Sequence, residues 1–144
     1  MMHKLQEYPI LHHFLAKLYE RCDIYTTDDM LTYIKEDLVS DYCKCKDSGC
    51  STVYLRSDRL PILENDDEQY VETYNSDKGL IILHFYTNGH IEIEALEYDD
   101  YPFKDEVKSV FNGHHYKSTK EKAQRTVTEF FKANEQVLNT IVVE

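Results

Sequence analysis

The chain predicts a single α+β domain with two N-terminal helices, a small antiparallel sheet of three to four strands around a central hairpin, and a C-terminal helix packed on the sheet. Three observations carry this. Apolar residues recur at helical spacing near both ends, two β-rich runs flank an Asn-Gly pair in the middle, and the 144 residues are 42% hydrophobic and 30% charged, as in an ordinary globular domain. Such a length buries a sizeable core without cross-links, so any cysteine cluster needs its own explanation.

After Pro9, Leu11, Phe14, Leu15, Leu18, Tyr19 and Cys22 follow three- and four-residue steps, predicting a first helix over 9–22. Thr26-Thr27-Asp28-Asp29 offers an N-cap with acids in the first turn, and Met30, Leu31, Ile34 and Leu38 share one face, predicting a second helix over 28–41. A polar turn over 41–50 then leads into Ser51-Thr52-Val53-Tyr54-Leu55-Arg56, so the first strand is expected to start near Cys50. The acidic stretch from Pro61 to Lys78 reads as a loop with at most one short edge strand.

Gly79 to Tyr86 meets Ile91 to Tyr98 across Thr87-Asn88-Gly89-His90. A two-residue Asn88-Gly89 loop of type I′ needs φ > 0 at both positions, which these residues tolerate. It would pair Tyr86 with Ile91, His84 with Ile93 and Ile82 with Ala95, leaving Phe85 opposite Glu92 and Leu83 opposite Glu94. A short helix over 104–111 ends at Asn112-Gly113. A final helix opens on a Ser118/Glu121 capping box, and its stripe runs through Ala123, Val127, Phe130, Phe131, Val137, Leu138 and Ile141.

The formal charge is −11, and all of it lies between Asp58 and Glu106, where 14 acids face 3 bases; the remainder is neutral. Such a surface disfavours direct binding to nucleic acid or anionic membranes. The same third holds Tyr70, Tyr74, Tyr86, Tyr98 and Tyr101. Tyrosines supply contact area at low entropic cost and neighbouring carboxylates steer a basic partner, so a contact surface is expected over Asp66, Asp67, Glu68, Tyr70, Glu92, Glu94, Glu97, Tyr98, Asp99, Asp100 and Tyr101. The function this suggests is a non-enzymatic inhibitor that covers a basic site on a protein. Ordinary acidic solubility, with the tyrosines in the core, is the competing account.

Cys43, Cys45 and Cys50 could supply three of the four ligands a tetrahedral zinc ion takes, in a C-x-C-x₄-C spacing unlike the common C-x₂-C knuckles. Cys22, His12, His13 and His84 are candidate fourth ligands by residue type; three free thiols or a redox role are the alternatives, and no other cofactor is called for. A small zinc-binding regulatory protein is thus the second functional expectation. His90, Glu92 and Glu94 alternate on one strand face, which with a further histidine suits a metal or acid/base chemistry, or else a solvated face. The H-x-E triplet lacks the P-C-x-x-C partner of zinc deaminases, His114-His115 sits after a glycine turn as a polar loop, and neither a nucleophile elbow nor a phosphate loop occurs. An enzyme is therefore not indicated. With no apolar run near 20 residues and no apolar leader, a cytoplasmic location is expected.

The run Gly49-Cys50-Ser51-Thr52-Val53-Tyr54-Leu55, then Gly79-Leu80-Ile81-Ile82-Leu83, then Gly89-His90-Ile91-Glu92-Ile93-Glu94-Ala95-Leu96-Glu97-Tyr98-Asp99-Asp100-Tyr101-Pro102, resembles a group of small uncharacterised bacterial proteins. These also look like a Cys-containing strand, a hairpin and an acidic Leu-Glu-x-Tyr/Ser-x-Asp-x-x-Pro ending. The resemblance spans about 50 residues and implies no function. In general character the chain is also similar to polymorphic-toxin immunity proteins, which are small, acidic, cytosolic and α+β; the similarity is compositional and assigns no residues.

Overall fold

The computed structural model describes residues 3–19, 37–47, 49–56, 68–76, 79–86, 90–134 and 139–143. Their elements run β1 (His3–Lys4), a 3₁₀ turn (Leu5–Glu7), α1 (Pro9–Tyr19), β2 (Leu38–Tyr42), β3 (Val53–Arg56), β4 (Glu68–Ser76), β5 (Gly79–Tyr86), β6 (His90–Leu96), α2 (Lys104–Phe111), α3 (Lys120–Asn134) and β7 (Asn139–Val143). The strands form one sheet in the order β1-β2-β3-β6-β5-β4-β7, every pair antiparallel. The α+β class, the helix start at Pro9, the central hairpin strands and the helix over 104–111 are as expected; the number of strands and the placement of the other elements differ.

Among the described residues the sheet has seven strands, not three to four. Within the expected second helix, residues 28–36 lie outside the described residues, and 38–41 are strand: Leu38 to Tyr42 pairs with β1 on one side and β3 on the other. Val39 is fully buried, and a strand lets it pack inward beside Leu55. The first strands therefore precede Cys50. The acidic stretch carries a nine-residue strand, β4, held between β5 and β7 rather than at an edge. Its Tyr, Val and Thr content suits a strand, while the interspersed acids conceal the pattern. At the C-terminus α3 ends at Asn134, and Ile141 sits in β7 against Thr73 of β4, not on a helical stripe. Val137 and Leu138 lie outside the described residues. Thr119, not Ser118, caps α3: its Oγ1 accepts the Lys122 amide at 3.1 Å.

The hairpin register differs by one residue from that of a two-residue loop. Phe85 faces Ile91, Leu83 faces Ile93 and Ile81 faces Ala95, while His84 faces Glu92 and Ile82 faces Glu94. A one-residue slip exchanges the two faces of a strand. In the observed register all six apolar partners of the first set are buried, none more than 4% exposed, whereas the two-residue loop would set Phe85 and Leu83 against carboxylates. Burial of the apolar set outweighs the local turn preference; residues 87–89, the connection, lie outside the described residues.

The helices cover this buried face. Phe14 of α1 meets Phe103 and Phe131 at ring-centroid distances of 4.9 Å each and Phe130 at 5.3 Å, joining α1 to α3 and to the approach to α2. Tyr74 of β4 is buried and donates its hydroxyl to the Leu18 carbonyl at 3.0 Å. Where β6 ends, Glu97 takes φ of 64°, and Tyr101 folds under the hairpin to donate to the carbonyls of Leu96 (2.7 Å) and Leu80 (3.2 Å). Gly79 has φ of 117°, and a Cβ there would stand 2.5 Å from both the Leu96 carbonyl oxygen and the Tyr101 hydroxyl. Only glycine fits this approach.

Glu106 of α2 is fully buried beneath the start of α1. Its Oε2 accepts the Ile10 amide at 2.8 Å and its Oε1 the Leu11 amide at 2.9 Å. Pro9 has no N–H, and the His12 amide already bonds the Tyr8 carbonyl at 2.8 Å. Every amide of the first turn is thus satisfied, two of them by a carboxylate 95 to 96 residues away.

Candidate metal centre

The three cysteines occupy the connection from β2 to β3. A bulge precedes them: Val39 pairs with Leu55 and Asp41 with Tyr54, leaving Ser40 as the extra residue, its hydroxyl donating to the Tyr54 carbonyl at 3.1 Å. Such an insertion bends and re-aims the strand that carries it. Beyond it the Cys43 amide bonds the Thr52 carbonyl at 2.9 Å and closes the base of the loop. At the tip, the Asp47 carboxylate accepts the Gly49 amide at 2.9 Å and the Asp47 carbonyl accepts the Cys50 amide at 3.1 Å, turning the chain back. The Ser51 amide then bonds the Ala95 carbonyl at 2.7 Å, fixing the return to β6.

This path brings Cys43, Cys45 and Cys50 together, with their sulfurs all within 4.8 Å of one another. Tetrahedral zinc with Zn–S bonds of about 2.3 Å wants sulfurs about 3.8 Å apart, so a closure of at most about 1 Å would form three sides of such a site. Cys43 and Cys50 are half-buried, Cys45 is exposed, and none of the three is in a disulfide. The thiols are inequivalent. The Cys43 thiol is pushed up to about 11: the Cys45 backbone amide favours its thiolate, but burial and its hydrogen bonds to the Cys45 and Cys50 sulfurs together outweigh that. The Cys50 thiol is moved down: burial opposes ionisation, and hydrogen bonds from Thr52, from both its hydroxyl and its backbone, and from Cys45 and Cys43 more than compensate. Cys50 is therefore a thiolate before Cys43 is, with its neighbours donating to it.

A second group differs from the one the alternation suggested. His90 is exposed at the start of β6 and is not among the atoms that converge. Instead His84, across the β5–β6 ladder from Glu92, joins Glu92 and Glu94 with ligand atoms within 4.8 Å of one another, and its Nε2 contacts Glu94 Oε1. All three are half-buried on the sheet face turned away from the helices. Of the fourth-ligand candidates, Cys22 lies outside the described residues, His84 is grouped with the two glutamates, and His12 and His13 are not among the atoms that converge on the cysteines. His114 and His115 are exposed in the connection after α2.

The acidic contact surface divides. Glu97, Asp99 and Asp100 are exposed just past the end of β6; Tyr98, between the first two, is half-buried, 5.3 Å from the Tyr101 ring. Tyr101 is 3% exposed and belongs to the core, where its hydroxyl ties the hairpin exit, so it is withdrawn from the contact set. Glu92 and Glu94 face His84, Glu68 and Tyr70 belong to β4, and Asp66 and Asp67 lie outside the described residues. Glu106, one of the 14 acids in this third, is wholly internal.

No family model, curated protein or solved structure matches the chain. Among the described residues no helix is long and apolar enough to cross a membrane.

Proposed function

We propose that the protein binds a thiophilic divalent metal, zinc in the first place, through Cys43, Cys45 and Cys50. The convergence of three sulfurs within 4.8 Å, across an eight-residue loop anchored by backbone hydrogen bonds at its base and tip, carries this reading. A strand-anchored loop holding three soft donors selects zinc over hard cations such as magnesium or calcium. Among the described residues the three thiolates supply three of the four positions of a tetrahedral site. Metal binding releases thiol protons and stabilises the folded loop.

Cobalt(II) substitution tests it. The parent should bind one ion per chain with intense thiolate-to-cobalt charge-transfer absorption, and Cys50→Ser should weaken uptake by at least 100-fold. Parent protein that takes up no cobalt after reduction and chelator removal would overturn the reading.

A second reading rests on the exposed run Glu97, Asp99 and Asp100, which with the confinement of the net charge to 58–106 suits a basic protein partner, as an immunity-type inhibitor would have. Capture of one basic protein at low salt, lost on charge reversal at these three positions, supports it; equal capture by the reversed variant refutes it.

A further inference from the structure

We propose that His84, Glu92 and Glu94 hold a second divalent ion, a borderline first-row metal such as manganese(II) or iron(II), on the sheet face turned away from the helices. The inference is independent of the cysteine reading, since it concerns other residues and a harder donor set.

Register brings the three donors together. His84 of β5 pairs directly with Glu92 of β6, and Glu94 follows two residues on, so all three side chains leave the same face. Their ligand atoms lie within 4.8 Å of one another. An ion with metal–nitrogen and metal–oxygen bonds of about 2.1 Å sets neighbouring donors about 3 Å apart, so a closure of less than about 2 Å by side-chain rotation completes the set. The core holds this register: the six apolar partners on the opposite face are buried, and a slip that dispersed the donors would expose them. The donors therefore stand on paired strands, which position a site more closely than a loop does.

The surroundings restrain the donors and withdraw them from water. The His84 and Glu94 side chains are 16% and 29% exposed. Tyr86 stacks at 16° on the His84 imidazole, with ring centroids 6.3 Å apart, which limits rotation of the ring. On the far side Tyr54 of β3 pairs with Glu92, completing a row of Tyr54, Glu92 and His84 across three strands. Its phenol is held above the ordinary value first by burial and next by the charge of Glu92, with Glu94 adding to the effect, so both carboxylates act on this one half-buried neighbour.

Charge and donor type select the ion. Two carboxylates and a neutral imidazole carry −2, which a divalent ion balances; with the imidazole protonated the three groups still carry −1. Imidazole suits borderline first-row ions, carboxylate oxygens suit their harder end, and neither is a soft donor. His84 Nε2 meets Glu94 Oε1 in a hydrogen bond. On binding, the Nε2 proton passes to solvent, the ion gives up hydration water, and one metal–nitrogen and two metal–oxygen bonds form; no electron is transferred.

Manganese(II) titrated into full-length protein at fixed pH, with excess magnesium to occupy exposed carboxylates, tests the site by electron paramagnetic resonance, which reads the free ion. One manganese per chain should be retained against magnesium, and His84→Ala and Glu92→Gln should each weaken retention by at least about tenfold. In isotope-labelled parent protein, substoichiometric manganese should broaden the amide resonances of His84, Glu92 and Glu94 most. Glu92→Gln keeps the size of the side chain and the resonance map needs no variant, so misfolding of His84→Ala would not blunt the test. Failure of the parent to retain manganese, retention unchanged in folded Glu92→Gln, or broadening centred on the exposed Glu97, Asp99 and Asp100 would overturn the assignment. Manganese disfavours thiolates, so each of these outcomes leaves the reading of Cys43, Cys45 and Cys50 where it stands.

Discussion

Glu106 makes a sharp prediction about pH because two opposing effects act on one carboxylate. Burial, the larger, favours the neutral acid, and the Ile10 and Leu11 amides favour the anion; the outcome is a pKa raised from 4.5 to about 7. Between those values the folded chain holds a proton that the unfolded chain has released. The stabilisation is therefore present in full below pH 4.5 and is lost as pH rises through 7. At 1.36 kcal/mol per pH unit the gap amounts to about 3 kcal/mol, a large share of the roughly 5–15 kcal/mol that holds a domain together. Glu106→Gln keeps one oxygen acceptor in place and cannot titrate. Urea unfolding of parent and variant from pH 4 to 8 isolates the effect, since every other titrating group is common to both. The stability of the parent relative to the variant should fall by about 3 kcal/mol across that range. A difference flat to within about 0.5 kcal/mol would refute the reasoning, and a rising one would mean that the two amides prevail over burial.

Other consequences are local. Gly79→Ala places a Cβ 2.5 Å from two oxygens at a φ of 117° and should cost about 3 kcal/mol by urea unfolding; a loss below about 1 kcal/mol would mean that β5 can shift away from Tyr101. Tyr101→Phe removes a hydroxyl serving the Leu96 and Leu80 carbonyls and should cost about 1–2 kcal/mol, measured the same way. In metal-free, reduced protein near neutral pH, iodoacetamide should label Cys50 before Cys43, because one thiol is moved down and the other up to about 11; peptide mapping that finds the reverse order would contradict the order of ionisation assigned to the two thiols.

What the sequence discloses follows from how local each signal is. The helix over 104–111 is legible residue for residue, since its period, its acids in the first turn and its Asn-Gly exit all lie within ten positions. The start of α1 is legible too, because Pro9 marks it. Glu106 as the partner of α1 is not legible, for nothing near either residue signals a contact across 95 positions. Hairpin register is a contest between a local dipeptide and the pairing of six apolar side chains, and burial prevails. β4 and β7 are hidden for a related reason: each is a partner of the other, and an acidic strand or a five-residue C-terminal run reads as a strand only once its neighbour is known. The cysteine group is visible as a spacing, but its closeness depends on the Ser40 bulge and the Asp47 turn. His84 reaches Glu92 and Glu94 only through cross-strand pairing, so alternation along one strand singles out His90 instead.

The bulge at Ser40 also links the site to the sheet. Upstream of it, Val39 packs into the core opposite Leu55; downstream, Tyr42 pairs with Val53 and the chain leaves for Cys43. Were Ser40 paired regularly with Tyr54 instead of bulged out, every side chain from Asp41 onward would exchange faces, sending Tyr42 away from Phe111, whose ring it now meets at 5.6 Å, and Cys43 away from Cys50. Deleting Ser40 removes only the insertion and leaves Val39–Leu55, Asp41–Tyr54 and Tyr42–Val53 as regular pairs, so cobalt uptake should be kept. Ser40→Ala, which keeps the insertion and loses one half-buried hydrogen bond to the Tyr54 carbonyl, should cost about 1 kcal/mol in stability and leave uptake intact. Loss of cobalt uptake by a folded deletion variant would refute this and assign the gathering of the sulfurs to the bend that the bulge gives the strand.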